Sequence, residues 1–130
     1  MSMNDPLANA FSAIYNAEKI SKDCCEIKPS SKLIKKILEK LNENNLIGSY
    51  EEISSARGGV LKIYLLGRIN RCGVIKPRFN VQIKNIEKFE KRFLPSKDFG
   101  VLILSTSKGI LTNKEAKEKK IGGKLLCFCY

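Results

Sequence analysis

The spacing of apolar residues changes along this chain, and that change limits the possible folds more than any other feature. Between residues 6 and 41 apolar residues recur three and four positions apart, which is the spacing of one face of an α-helix. Beyond residue 46 they form short runs separated by Gly and Pro, a pattern typical of strands. The 130 residues therefore predict an α+β fold, built as one domain or as two very small ones.

The N-terminal half predicts the order αβαββ. Asp5 can cap a first helix and Pro6 suits its first position, while residues 29–31 precede a second helix that ends near Asn44. Residues 24–28 form an extended piece between them, and residues 47–55 and 60–66 form a hairpin whose turn uses Gly58 and Gly59. The predicted buried faces are Leu7, Ala10, Phe11 and Ile14 in the first helix, and Leu33, Ile34, Ile37, Leu38 and Leu41 in the second.

The C-terminal half predicts mainly strands, over residues 68–75, 79–83, 99–104 and 124–130. The apolar run that ends at Leu104 should be the central strand. A short helix over residues 85–93 would end before Pro95, and Thr112 with Glu115 has the form of a capping box. With Gly67 as the boundary, the sequence suggests an α/β domain over residues 1–66 and a mainly β domain with short helices over residues 67–130.

The charge of the chain predicts a polyanionic partner. Lys and Arg number 24 against 13 Asp and Glu, which gives a net charge of +11, and most of the excess follows residue 50. A basic protein of this size most often binds a polyanion such as nucleic acid, because each cation near a phosphate releases a condensed counterion, and anionic membrane is the competing polyanion. No apolar run approaches the roughly 20 residues that span a bilayer, and no signal peptide pattern opens the chain. We expect a soluble, cytoplasmic protein without a membrane partner.

Catalytic and metal-binding patterns are weak in this sequence. It has five Cys without CxxC spacing and no His, which favours reduced cysteines in or near the core over a metal site. Ser105 and Lys108 satisfy S-x-x-K, but the accompanying Ser and Lys-Thr-Gly elements of that chemistry are missing. The sequence therefore predicts neither an enzyme nor a cofactor.

The stretch STSKG, residues 105–109, suggests a recognition site because it follows the predicted central strand. Short hydroxyl side chains can bond to phosphate, ribose or base edges, Lys108 and Lys124 would add charge, and glycine allows close approach of a nucleic-acid backbone. Ser and Thr at strand ends also bond to their own backbone, and a Gly-Gly pair also simply turns a chain. The residues alone leave both interpretations open.

Three separated segments resemble one family. STSKGILTNKEAKEKKIGGKLLCFCY resembles the C-terminal signature of the small-subunit ribosomal protein eight family, and NDPLANAFSAIYNAEKI resembles its opening helix. GRINRCGVIKPRF is similar to the linker of the archaeal and eukaryotic branch, and the Lys- and Ile-rich composition suits an archaeal member. The resemblance implies two small α/β domains in a structural protein that binds an irregular helix, with an internal loop, in the central domain of small-subunit rRNA. It also implies a role in assembly beside neighbouring ribosomal proteins.

The resemblance further implies which residues bind RNA. They are Ser105, Thr106, Ser107, Lys108, Gly109, Gly122, Gly123 and Lys124, together with Lys28, Pro29, Ser30, Ser31 and Lys32 at the start of the second helix. A helix N-terminus offers free N–H groups to a phosphate, although these residues also suit ordinary capping. Bacterial members repress their own operon mRNA, which makes that mRNA a possible further partner. The alternative is a basic α/β ligand-binding or enzymatic module unrelated to the ribosome.

Overall fold

A computed structural model describes residues 6–27, 32–55, 58–76, 78–96 and 99–130 of the chain. The chain divides into two compact units, Met1–Gly73 and Val74–Tyr130, called here the N-terminal and C-terminal units. This division lies a few residues beyond Gly67, the boundary suggested by the sequence. Among the described residues, no helix is long and apolar enough to cross a membrane.

The N-terminal unit consists of two helices and an antiparallel sheet. Its elements, in chain order, are α1 (Pro6–Lys19), β1 (Cys24–Ile27), α2 (Lys32–Glu43), β2 (Ile47–Ser55) and β3 (Gly58–Leu65). The sheet has the order β1-β3-β2, so that β3 is central. The predicted order αβαββ is confirmed, and Pro6 is the first helical residue, whereas Asp5 lies outside the described residues.

Both helices bury the faces that their spacing predicted. The buried helical residues are Leu7, Ala10, Phe11, Ile14 and Ala17 in α1, and Ile34, Ile37, Leu38 and Leu41 in α2, while Leu33 is half-buried. The predicted role of Gly58 and Gly59 in the turn is wrong. Both lie within β3, where they pair with Ser55 and Ser54, and residues 56 and 57 are outside the described residues.

The C-terminal unit is built on a five-stranded sheet with the order β4-β8-β6-β7, in which β5 also pairs with β8. Its elements are β4 (Cys72–Val74, whose first two residues precede the division between the units), β5 (Asn80–Val81), a 3-10 turn (Ile83–Asn85), α3 (Ile86–Phe93), β6 (Val101–Thr106), β7 (Gly109–Thr112), α4 (Asn113–Lys119) and β8 (Gly123–Cys129). The apolar half of β6 is wholly buried between its two neighbours, which confirms the predicted central strand.

Two strands are much shorter than predicted. The one expected over residues 68–75 is reduced to β4, because Gly67 turns the chain with a φ of 71° and the amide of Ile69 donates to the Glu18 carboxylate instead of a strand. The one expected over residues 79–83 is reduced to β5, because Ile83 already begins the 3-10 turn that leads into α3. The sequence did not predict β7.

The capping box before α4 is confirmed. The Thr112 hydroxyl accepts from the Glu115 amide, and the Glu115 carboxylate accepts from the Thr112 amide. Two of the free N–H groups at the helix start are thereby satisfied, which fixes where β7 ends and α4 begins.

Candidate nucleic-acid interface

A tight hairpin joins β6 to β7 and contains the whole STSKG stretch. Ser105 and Thr106 still belong to β6, where they pair with Ile110 and Gly109 respectively. Only Ser107 and Lys108 form the turn. The sequence interpretation placed all the hydroxyls in a loop, and the structure corrects this for the first two, which the ladder of hydrogen bonds to β7 holds in place.

The hydroxyl of Thr106 serves the hairpin itself. It donates to the Gly109 carbonyl over 2.8 Å and accepts from the Lys108 amide over 3.1 Å. Gly109 has a φ of 104°, a conformation that a residue with a Cβ rarely adopts, so the turn also depends on this glycine. For Thr106, the interpretation that a strand-end hydroxyl satisfies local backbone groups is therefore correct.

Ser105 and Ser107 differ from Thr106 in their hydrogen bonding. Both side chains are exposed, and neither forms a hydrogen bond with another residue of the described part of the chain. The two flanking hydroxyls are thus held by the hairpin backbone and remain available to a ligand. A serine hydroxyl can donate one hydrogen bond and accept two.

These hydroxyls face an open groove of about 640 Å³ in the C-terminal unit. Its lining residues are Asn80, Val81, Gln82, Ile83, Ser105, Thr106, Ser107, Gly122, Gly123 and Lys124. The groove thus brings together six of the residues predicted to bind RNA. Lys108 and Gly109 are exposed at the hairpin tip and do not line it.

The register of β8 explains how distant residues meet in the groove. Lys124 pairs with Asn80 of β5 on one side and with Ser105 of β6 on the other. Residues directly opposite each other on neighbouring strands present their side chains on the same face of a sheet. Asn80, Lys124 and Ser105 therefore form a polar row across three strands at one end of the sheet.

The two glycines before Lys124 are explained by packing within the protein. A Cβ on Gly122 would overlap the Val81 carbonyl oxygen, and one on Gly123 would overlap the Ser105 carbonyl oxygen. The sequence interpretation was that glycine leaves room for a nucleic-acid backbone. The close approach of β5 and β6 to the start of β8 is by itself sufficient to require both residues.

The sequence interpretation missed one wall of the groove. Asn80, Gln82 and Ile83 line it, and Ile83 is 39% exposed. The available signal was the pair of polar residues, Asn80 and Gln82, that alternate with apolar ones in a predicted strand. The pairing of this segment with Lys124 and Gly123 lies outside what local periodicity can reveal.

The C-terminal unit carries most of the positive charge. Its sequence contains thirteen Lys and Arg against five Asp and Glu, a net charge of +8. Lys124 in the groove, Lys108 at the hairpin tip and Lys84 just after Ile83 are all exposed. The groove and its surroundings therefore suit a phosphate-containing ligand.

The second predicted contact lies in the N-terminal unit. Lys28, Pro29, Ser30 and Ser31 fall outside the described residues. Lys32 is exposed and is the first residue of α2.

The described residues contain no group of three or more potential ligands that could hold a metal ion. All five cysteines are free, and burial, with a smaller contribution from neighbouring Cys24, raises the pKa of Cys25 to about 11. At neutral pH Cys25 is therefore a thiol and a poor nucleophile.

Comparison with known proteins agrees with these features. The family model described as "Ribosomal protein S8" matches residues 5–130. "Small ribosomal subunit protein uS8" of Methanococcoides burtonii is 49% identical over 130 residues, which cover the full length of both chains. These matches confirm the resemblance found in the sequence, including its archaeal type. The chain belongs to the ribosomal protein S8 family.

Proposed function

We propose that this chain is a structural, non-catalytic component of the small ribosomal subunit, and that it binds small-subunit rRNA through the groove of its C-terminal unit. Family membership and the name of the archaeal relative support the ribosomal role. The arrangement of the groove supports the mode of binding. In keeping with the sequence interpretation, the RNA partner is an irregular helix with an internal loop in the central domain, bound during assembly beside neighbouring proteins.

The observation that carries this proposal is the pair of unengaged hydroxyls, Ser105 and Ser107, beside Lys124. They flank Thr106, whose own hydroxyl locks the hairpin, and they follow a strand segment, Val101–Leu104, that is wholly buried. Such groups lose little conformational freedom on binding, because the scaffold orders them before the ligand arrives.

The chemistry of the groove fits RNA with an irregular helix. A regular A-form major groove is too narrow for side chains, whereas an internal loop exposes base edges and the 2′-hydroxyls lie in the shallow groove. Serine hydroxyls can bond to either group, and Asn80 and Gln82 can both donate and accept. Lys124 and Lys108 would neutralise phosphates on either side.

No observation favours an enzymatic function for the groove. Among its lining residues the titratable side chain is Lys124, which has no carboxylate or imidazole beside it in the lining. General acid–base catalysis needs such a partner.

An mRNA stem with the same internal loop would offer the same groups, so that binding to the operon mRNA is a natural extension of this proposal.

The N-terminal contact completes the proposal. Residues 28–32 precede or begin α2, and a helix N-terminus attracts phosphate through its free N–H groups and its dipole. We assign this segment to backbone contacts that add affinity without sequence specificity.

Ser107→Ala tests the groove directly. Loss of this hydroxyl would leave an RNA group unpaired, and we expect the affinity for the rRNA helix to fall by roughly tenfold, with an unchanged melting temperature. The control is Ser49→Ala, an exposed serine of β2 in the N-terminal unit, which should leave the dissociation constant unchanged. The measurement is RNA titration and thermal unfolding of the same preparations. An unchanged dissociation constant for Ser107→Ala would refute the recognition role of this residue.

A further inference from the structure

Arg92 of α3 packs against two aromatic rings. Its guanidinium carbon lies 5.4 Å from the centroid of the Phe79 ring and 5.4 Å from that of the Phe93 ring. The side chain is exposed, and it forms no ion pair with any described residue. A guanidinium on aromatic rings keeps its charge and its N–H edge while losing much of its motion.

Both rings are themselves fixed by the unit. Phe79 packs against Phe89, with ring centroids 5.5 Å apart, and Phe93 stacks on Phe128 at 5.7 Å. The Phe79 carbonyl also accepts from the amide of Leu125 at 2.9 Å. Arg92 is thus held against a rigid support. One part of that support, Phe79, directly precedes the groove-lining Asn80 in sequence.

Arg92 is the last member of a basic stripe, defined here as Lys84, Lys88 and Arg92. These residues are spaced four apart through the 3-10 turn and α3, and all three are exposed. Lys88 and Arg92, four positions apart in α3, lie on one face of that helix, and Lys84 lies in the 3-10 turn directly before it. The stripe begins directly after Ile83, which lines the groove.

The acidic residues of the same helix are directed elsewhere. Glu90 accepts from Asn113 and from the Lys117 ammonium, the latter over 2.5 Å. Glu87 and Lys91 line a different cavity, of about 350 Å³, together with Glu90. The stripe forms no ion pair with a described residue, whereas Glu87, Glu90 and Lys91 form a mixed-charge surface.

We propose that the basic stripe is a second RNA-backbone contact that continues the groove, with Arg92 as a phosphate anchor held in place by Phe79 and Phe93. This inference rests on the proposed function, because the groove sets the position of the RNA. The ligand group is a phosphate of the helix flanking the internal loop, since the planar fork of arginine matches two phosphate oxygens. Continuity with the groove favours RNA over an acidic protein.

The test compares two adjacent residues of α3. Arg92→Ala and Lys91→Ala each remove one exposed charge, but only the first lies in the stripe. We expect Arg92→Ala to weaken binding of the rRNA helix by roughly tenfold and to reduce the slope of log K against log salt by about 1. Arg92→Lys retains the charge and loses the fork, and should weaken binding by about threefold. Lys91→Ala should change the affinity by less than about twofold.

RNA length provides a second readout. A fragment trimmed to the internal loop should bind wild type and Arg92→Ala equally, because the flanking phosphates are missing. An extended fragment that includes those phosphates should bind wild type more tightly than Arg92→Ala. Circular dichroism of each variant checks folding. If Ser107→Ala weakens binding but Arg92→Ala behaves like Lys91→Ala on the extended fragment, the stripe inference is wrong and the proposed function stands. If wild type binds neither fragment, the proposed function and the inference both fail.

Discussion

The two units contain similar secondary-structure elements but differ in how far their basic side chains are paired with acidic ones. The N-terminal unit contains eleven basic and eight acidic residues, and lysines of α2 pair with nearby carboxylates. Lys35 lies 2.7 Å from Glu52, and Lys40 lies 3.6 Å from Glu43. In the C-terminal unit the corresponding numbers are thirteen and five, and the basic stripe and Lys124 form no ion pair with a described residue.

In the N-terminal unit much of the positive charge is balanced by nearby carboxylates, whereas in the C-terminal unit much of it is left for a partner. Ion pairs at the surface contribute little to folding, so these partly exposed pairs of the N-terminal unit mainly lower its surface potential. Unpaired cations repel one another in the free protein and release counterions on RNA. We infer that the C-terminal unit supplies most of the electrostatic part of RNA binding.

Strand packing should show the largest contrast between the units. Gly123→Ala places a Cβ against the Ser105 carbonyl, and we expect a loss of about 3 kcal/mol in the free energy of unfolding. Gly48→Ala in β2 places its Cβ 3.0 Å from the Tyr64 carbonyl oxygen, a tight contact that small shifts can relieve, and should cost about 1 kcal/mol. Urea unfolding of both variants measures the difference. Equal losses would show that the groove end of β8 is no more tightly packed than β2.

Buried polar contacts should give the next largest effect. The Asn113 side chain accepts from the Leu102 amide at 3.2 Å and donates to Glu90, and only 2% of the residue is exposed. Asn113→Ala leaves a buried amide unpaired and should cost about 2 to 3 kcal/mol. Lys35→Ala, which removes a partly exposed ion pair, should cost less than about 1 kcal/mol. Similar values in urea unfolding would contradict the distinction between the buried contact of the C-terminal unit and the partly exposed ion pair of the N-terminal unit.

Removal of two lysines from each unit tests the charge comparison itself. Lys108→Ala with Lys124→Ala should weaken rRNA binding by roughly tenfold or more and lower the salt slope by about 2, because the proposed function assigns each lysine to a phosphate. Lys36→Ala with Lys40→Ala removes charges that already have carboxylate neighbours in α2, and should change the slope by less than about 1. The measurement is RNA affinity across a salt series. If the RNA affinity of the wild type did not change with salt concentration, the electrostatic argument would fail for both units.

The smallest effect concerns pH and the N-terminal unit. The pKa of Cys25 is raised from 9.0 to about 11 in the folded chain, so the folded state holds its proton more tightly than the unfolded state. This contribution to stability is fully present below pH 9.0 and is lost as the pH rises to about 11. Because the thiol is partly exposed, the loss should stay below about 1 kcal/mol. Urea unfolding of wild type and Cys25→Ala over this range should give a shallower pH slope for the variant, and parallel slopes would contradict the prediction.

Much of the fold was predictable because its signals are local. The helical faces of α1 and α2, the capping box at Thr112 and the buried run that ends at Leu104 each depend on residues within one turn or one strand. The predictions for residues 68–75 failed for a non-local reason. The amide of Ile69 finds its partner in Glu18, about fifty positions earlier in the chain, which no strand periodicity can show.

The candidate site was predictable in composition but not in its arrangement. The sequence by itself determined the hydroxyl stretch, the Gly-Gly pair and the excess of lysine, because residue types and turn chemistry are local properties. The tertiary structure decided which hydroxyls are free of described partners, since Thr106 bonds to Gly109 across the hairpin while the Ser105 and Ser107 hydroxyls form no hydrogen bond with a described residue. It also decided that Asn80 lies beside Lys124 and that Arg92 rests on Phe79, because strand register and ring packing join segments that are distant in the chain.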